Sequence, residues 1–453
     1  LRHAGNVALS DGRLDDGAQC VAQLVQLDTL DVEGMVLSGR LHVGRQEYES
    51  AIADFRRALR VEPRIAPVHY YLAAALLQSG KTNEAKAELQ SAIALAPDYP
   101  EAVFQLAELN LRDAAPDVAR AALDRFVGSN PQSIKAHVLL GTALAAMGHA
   151  TEATEAFQQI LRIAPNSVEG HYWVGMGLAA ERRRDEAKAE FQTALAMAPD
   201  FREAIVQLVL MDLAERNPDV AIRRIRSQMA AVPQSADLYD LLGLVHATKN
   251  ETDSAEVALL KSIELNSRLL DPRVRLSELY YATERFDKAL VQAESAASIE
   301  PRSPRALMAL GVAAQHRGDV AKAREAYKTA LTVDPRFAGA ANNLALLLSD
   351  QGDDAGAMTF AVRAQQAAPE DPHILDTLGW ILYKRGEYER AMKTLAQSAN
   401  AIPESPSAQY HLGMAAQKVG DTMLARSALG RAANSTTPFA EKDEARKALQ
   451  LLR

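Results

Sequence analysis

The chain contains a single cysteine, Cys20, among its 453 residues. An intrachain disulfide needs two cysteines, and a zinc site built on paired thiolates needs as many, so the sequence excludes both. Aromatic residues are also scarce, with two Trp, twelve Tyr and ten Phe making up 5% of the chain. Alanine supplies much of the 48% apolar content. That balance disfavours an all-β fold and favours helices packed through small side chains. There is no basic excess: 50 Lys and Arg against 58 Asp and Glu give a net charge of −8. A nucleic-acid partner, which needs a basic face, is therefore not expected. No apolar run reaches the roughly 18 residues that cross a bilayer, so no direct membrane insertion of this chain is expected. Phosphate loops, H-E-x-x-H, G-x-S-x-G and calcium-loop patterns are all missing, and the sequence gives no catalytic residue, cofactor or metal site.

What the sequence does contain is a period. Prolines stand at Pro63, Pro97, Pro131, Pro165, Pro199 and Pro233, each 34 residues after the last. The series lapses at Ser267, resumes at Pro301, Pro335, Pro369 and Pro403, and lapses again at Thr437. Nineteen residues into each unit lies an alanine without exception, from Ala51 and Ala85 through Ala391 and Ala425. Twelve alanines in twelve is on the order of one in 10⁸ by chance, even if alanine took a fifth of all positions. Seven residues into each unit lies a small residue, such as Gly39, Ala73, Gly141, Ser277, Gly311 or Gly413, with Val209 the exception.

Each unit reads as helix, turn, helix, with apolar residues at helical spacing, for example Leu72, Ala73, Leu76 and then Ala85, Leu89, Ala92. The two small positions let the helix axes approach closely. Turns such as Ser79-Gly80-Lys81, Arg317-Gly318-Asp319 and Arg385-Gly386-Glu387 put glycine where a helix ends and a positive φ is needed. Proline then ends the second helix.

The small and large positions of unit 372–405 (Leu378-Gly379-Trp380, Tyr383, Gly386, Tyr388, Ala391, Leu395 and Pro403) resemble the tetratricopeptide repeat, or TPR. The resemblance runs along nearly the whole chain. It implies an all-α fold, a right-handed superhelical solenoid of antiparallel helix pairs whose first helices line a concave groove. Residues 32–439 divide into twelve units, and residues 1–31 carry the same phase with Gly5, Gly12 and Gly17, as a partial N-terminal unit. Residues 440–453 read as a charged C-terminal capping helix with an apolar edge at Ala445, Leu449 and Leu452. The chain begins at Leu1 inside a repeat, so the natural start is expected upstream, whereas the cap suits a natural end. Val209, Asp212 and Gln228, the Asn217-Pro218 turn and the missing proline at Ser267 mark a possible weaker joint over 209–270.

His69, His137 and His171 share one place in their units, where the reading is core packing. Equivalent helices about 10 Å apart are too distant for a shared metal. Arg182-Arg183-Arg184 in a turn and Arg223, Arg224 and Arg226 on a second helix read as solvated charge.

The groove is the candidate site. First-helix positions left over from packing are Tyr70, Phe104, Glu108, Tyr172, Trp173, Met176, Glu278, Tyr281, Asn342, Asn343, Trp380, Tyr383, Lys384, Tyr410, His411 and Met414. Both tryptophans are among them, and aromatic anchors suit peptide recognition; the competing reading is that they fill contacts between neighbouring units. The resemblance implies a protein or peptide partner. The lysine–asparagine clamp with which some TPR proteins grip C-terminal carboxylates is not matched. Asn342-Asn343 resembles the asparagine ladder of O-linked N-acetylglucosamine transferases, in one unit only. Asn342-Asn343-Leu344-Ala345, Leu375 to Trp380, Tyr410 to Gly413 and Phe439 to Leu452 are similar to the tails of bacterial TPR proteins, among them lipoproteins of exosortase (PEP-CTERM) and exopolysaccharide systems. The expectation is a non-catalytic scaffold in a bacterial envelope or exopolysaccharide assembly, periplasmic or envelope-associated. A recruiting module of a larger enzyme, such as a glycosyltransferase, and a self-assembling scaffold remain the alternatives.

Overall fold

The computed structural model describes residues 1–27 and 31–452, and residues 28–30 of the partial N-terminal unit and Arg453 lie outside it. Among the described residues all regular structure is α-helical, in 27 helices with no strand. They fall into two compact units, Leu1–Met211 and Asp212–Arg453.

One helix pair serves to explain the rest. The first helix, Pro372–Lys384, opens with Pro372 at its first position, and Asp371 caps it by accepting from the amides of His373 and Ile374. A proline loses nothing there because that amide has no partner inside the helix. Ser133, Ser167, Ser235, Ser303 and Ser405 cap their first helices in the same way. The second helix, Tyr388–Ala401, returns antiparallel and ends just before the proline turn.

The crossing between the two helices is tight. A Cβ placed on Gly311 would lie 2.3 Å from the Tyr327 ring, and one on Gly141 would lie 2.3 Å from the Phe157 ring. Both rings sit on the second helix sixteen residues later, so the missing side chain makes room for a large one. All twelve periodic alanines have 0% exposure. A methyl group there fills its space without separating the axes, in an interior packed as densely as a crystal.

The turns share a single conformation. Positive φ occurs at Gly12, Gln46, Gly80, Ala114, Gly148, Arg182, Arg216, Asn250, Glu284, Gly318, Gly352, Gly386 and Gly420, and nowhere else among the described residues. These thirteen are 34 residues apart throughout, and six of them are not glycine. The turn is set by the pair of helices it joins, and a non-glycine side chain tolerates the left-handed conformation at a cost.

Several of the irregular residues over 209–270 have partners or are buried, and the division between the two compact units falls among them. Val209 is fully buried. Asp212 is 1% exposed, and the Arg224 Nε donates to its Oδ2 at 2.8 Å. Arg224 is thus not simply solvated charge: it neutralises a carboxylate that burial would otherwise penalise. Pro218 is the first residue of the helix Pro218–Ala231, with Asn217 as its N-cap, and does not lie in the turn itself. At Ser267, Asn266 Oδ1 accepts from the amide of Arg268 at 3.0 Å, closing the connection without proline.

Two stability changes follow from this geometry. Ala391→Leu, which overpacks the crossing, is expected to cost roughly 1–3 kcal/mol in urea unfolding. Ala114→Gly, which relieves a left-handed non-glycine residue, is expected to stabilise by about 1 kcal/mol in the same measurement.

Candidate functional site

In the unit Leu1–Met211 the first-helix aromatics are engaged by residues of their own repeat and, at Trp173 and through Lys135, of a neighbouring one. Tyr70 meets Tyr99 edge-on at 5.5 Å, and Phe104 meets Phe126 at 5.2 Å. The Lys135 ammonium lies 5.2 Å over the Phe104 ring and 2.9 Å from Glu108 Oε1, so one cation from the following unit serves both residues. Trp173 stacks on Phe157 at 5.4 Å, and Tyr172 meets Phe201 edge-on at 5.6 Å. Met176 is half-buried on the same helix. Burial pushes the phenols of Tyr70 and Tyr172 above their ordinary pKa, so they stay neutral hydrogen-bonding groups.

The equivalent face of Asp212–Arg453 carries a polar ladder that sequence reasoning missed. Hydrogen bonds link first-helix residues 35 apart: Arg275 to Asp240 at 3.0 Å, Tyr281 with His316 at 2.8 Å, Asn343 to Met308 Sδ at 3.8 Å, Lys384 to Ser349 at 3.0 Å, and His411 with Asp376 at 2.9 Å. Each rung ties one unit to the next. The signal was a complementary donor and acceptor at a spacing of one repeat plus one residue.

Several predicted groove residues are consumed by this packing. Trp380 is stacked on Tyr383 at 4.7 Å and on His411 at 4.1 Å and is half-buried. Tyr410 is 6% exposed and His411 9%, so these two do not present open groove surface. Tyr410 lies 6.5 Å from Phe439 in a cluster that Ala445 and Ala448 of the terminal helix Lys442–Gln450 complete. Met414 packs against the same cluster. Lys384, drawn to Ser349, also lies 3.8 Å from Asp350. Asn342 donates to Asn343 at 3.4 Å, while its own carbonyl oxygen is buried without a partner.

One part of this face remains open. A cavity of about 240 Å³ is lined by Ser277, Glu278 and Tyr281 of the helix Asp271–Ala282, by Arg305, Met308, Ala309, Val312 and Ala313 of the helix Pro304–His316, and by Phe337. Its wall is mostly apolar. Glu278 and Tyr281 were legible as groove residues, whereas Arg305, Met308, Val312 and Phe337 were not singled out. Val312 stands one full period after Glu278, and that equivalence was the available signal. Tyr281, with His316 edge-on at 4.6 Å, forms one lip. Desolvation by the surrounding wall raises the Glu278 carboxyl pKa, partly offset by Arg305 and Arg275.

The histidines placed in the core also make hydrogen bonds. His69 and His137 reach the carbonyls of Pro63 and Pro131 at 3.0 and 2.9 Å, and His69 and His171 reach Glu88 and Glu190 at 2.6 and 2.7 Å. Gln409 donates to the carbonyl of Pro403 at 3.2 Å from the same place in its unit. The position therefore satisfies a carbonyl at the preceding helix end as well as filling space. Arg183 pairs with Glu181 at 3.1 Å and Glu186 at 2.6 Å. Among the described residues no three His, Cys, Asp or Glu side chains are grouped to hold a metal, and no helix is long and apolar enough to cross a membrane.

Stacked helix pairs with one wall of first-helix side chains define a repeat protein of the helical solenoid class. Models of the tetratricopeptide repeat match residues 42–107 and 76–127, then 2–67, 111–168, 274–332 and 317–372, and finally 236–268. These stretches take in more than half of the sequence, and the chain belongs to the tetratricopeptide repeat family. No curated protein matches it in a sequence comparison. Among solved structures, the Cut9–Hcn1 hetero-tetramer of the APC/C is similar at 12% identity and a TM-score of 0.51, over 96% of this chain and 98% of that one. Yeast Tom70 is similar at 14% identity and a TM-score of 0.47, over 88% and 95%. YrrB, described as a TPR protein with an unusual peptide-binding site, is similar at 21% identity and 0.37, over 41% and 96%. These likenesses concern the fold.

The stacking around Trp380 predicts a structural effect. Trp380→Ala is expected to destabilise the chain by roughly 3 kcal/mol in urea unfolding, because it removes the ring between Tyr383 and His411.

Proposed function

We propose that the chain is a non-catalytic protein–protein interaction scaffold, holding a peptide or protein segment of a partner on its first-helix wall within a bacterial envelope or exopolysaccharide assembly. The observation that carries the binding reading is the apolar cavity between the helices Asp271–Ala282 and Pro304–His316. At about 240 Å³ it is smaller than the roughly 300–1,000 Å³ typical of small-molecule sites. It suits one or two side chains of a longer ligand that runs on along the wall. No group of converging nucleophile, base and oxyanion donors accompanies it among the described residues, which favours holding over chemistry.

The envelope setting rests on the likeness of residues 342–452 to the tails of bacterial TPR proteins of exosortase and exopolysaccharide systems. Partner recognition there would use rigid aromatic and apolar contacts, whose binding loses little side-chain entropy.

Peptides selected from a random display library on the full chain provide the test. Val312→Arg, which places a long cation in the cavity, is expected to weaken the selected peptides at least tenfold while helicity is unchanged. Affinity unaltered by Val312→Arg would remove the cavity from the binding surface. Fractionation of the native cells is expected to place the protein with the envelope, and recovery wholly in the cytoplasm would overturn the setting.

A further inference from the structure

The charges around the cavity are unevenly matched. Arg275 Nε lies 3.0 Å from Asp240, whose side chain is nearly buried, and Arg305 lies 2.5 Å from Asp271. Each guanidinium thus already has a carboxylate. Glu278 stands between them in sequence, on the helix that carries Asp271 and Arg275, and makes no hydrogen bond or ion pair among the described residues. It is the one carboxylate of the cavity lining, set beside Met308, Val312 and Phe337. Glu278 is exposed at the rim of the apolar wall, where its carboxylate has no protein partner and stands open to a cation that a ligand brings. A lysine or arginine arriving with the ligand would pair with it by a charge-assisted hydrogen bond while the neighbouring apolar side chain fills the cavity.

We infer that this cavity selects peptide segments in which a large apolar side chain is followed closely by lysine or arginine, the apolar group entering between Met308, Val312 and Phe337 and the cation pairing with Glu278. The inference rests on the scaffold reading above and narrows it to one ligand chemistry. It also gives a sign to the selectivity. The wall accepts a positive residue beside the apolar anchor and disfavours an acidic one, because a second carboxylate next to Glu278 adds repulsion without relief.

The test uses the full chain and three fluorescein-labelled decapeptides of Gly-Ser background, carrying a central Phe-Ser-Lys, Phe-Ser-Glu or Ser-Ser-Lys. Fluorescence anisotropy is expected to give the tightest binding for Phe-Ser-Lys, with each of the other two at least tenfold weaker. Glu278→Gln, which keeps the size and removes the charge, is expected to weaken Phe-Ser-Lys about tenfold and bring it close to Phe-Ser-Glu. Glu278→Lys is expected to reverse the preference between those two. Circular dichroism of each variant confirms that the fold is retained. Equal affinity for the Lys and Glu peptides, or no response to Glu278→Gln, overturns the inference. If Val312→Arg still abolishes binding of all Phe peptides in that case, the cavity remains a peptide site and only its charge selectivity falls. If neither substitution matters, or no peptide binds up to about 1 mM, the inference falls, and insensitivity to Val312→Arg takes the cavity reading with it.

Discussion

The structure depends on how closely two helices can approach within each repeat. At Gly141 and Gly311 a side chain has been removed to admit the ring of Phe157 or Tyr327. At the alanine nineteen residues into each unit a methyl group closes the crossing with no exposure at all. Because the close approach uses the smallest residues available, a pair with an aromatic ring at its crossing tolerates neither a larger side chain opposite that ring nor a shift in register. The position of the first helix is therefore fixed relative to the second, and with it the direction in which every remaining first-helix side chain projects.

That constraint also explains which features were legible in the sequence. Absence of volume is written directly in residue type, so glycine and alanine at fixed places announced the helix pair, its period and its family. The turns were legible only in part. Gly80, Gly318 and Gly386 announced a left-handed residue, but Gln46, Ala114, Arg182, Arg216, Asn250 and Glu284 adopt the same conformation without any signature. The helices they connect impose it, and a residue forced by its neighbours carries no mark of its own.

The wall was harder to read than the pairs. Every residue of the 35-spaced ladder sits where a groove residue should, and taken singly each looks available for a partner. Only the pairing of Lys384 with Ser349, or of His411 with Asp376, shows that the availability is already used. Tyr410 was misread for a different reason. Its position lines open wall elsewhere in the array, but here Phe439 and the terminal helix Lys442–Gln450 lie against it. Conversely, Val312 and Met308 gave no chemical signal and emerged only as walls of a space that three segments enclose. Interactions within one unit were legible from composition, whereas those between units required coordinates.

The two indoles have a practical consequence. Trp173 stacks on Phe157 within Leu1–Met211, and Trp380 lies between Tyr383 and His411 within Asp212–Arg453. Each half of the chain thus owns a single indole in a defined aromatic environment, which light at wavelengths absorbed by tryptophan and not by tyrosine excites alone. Replacing one indole by phenylalanine leaves an emission signal belonging to the other half alone, so the melting of the halves can be followed separately, with no dye attached.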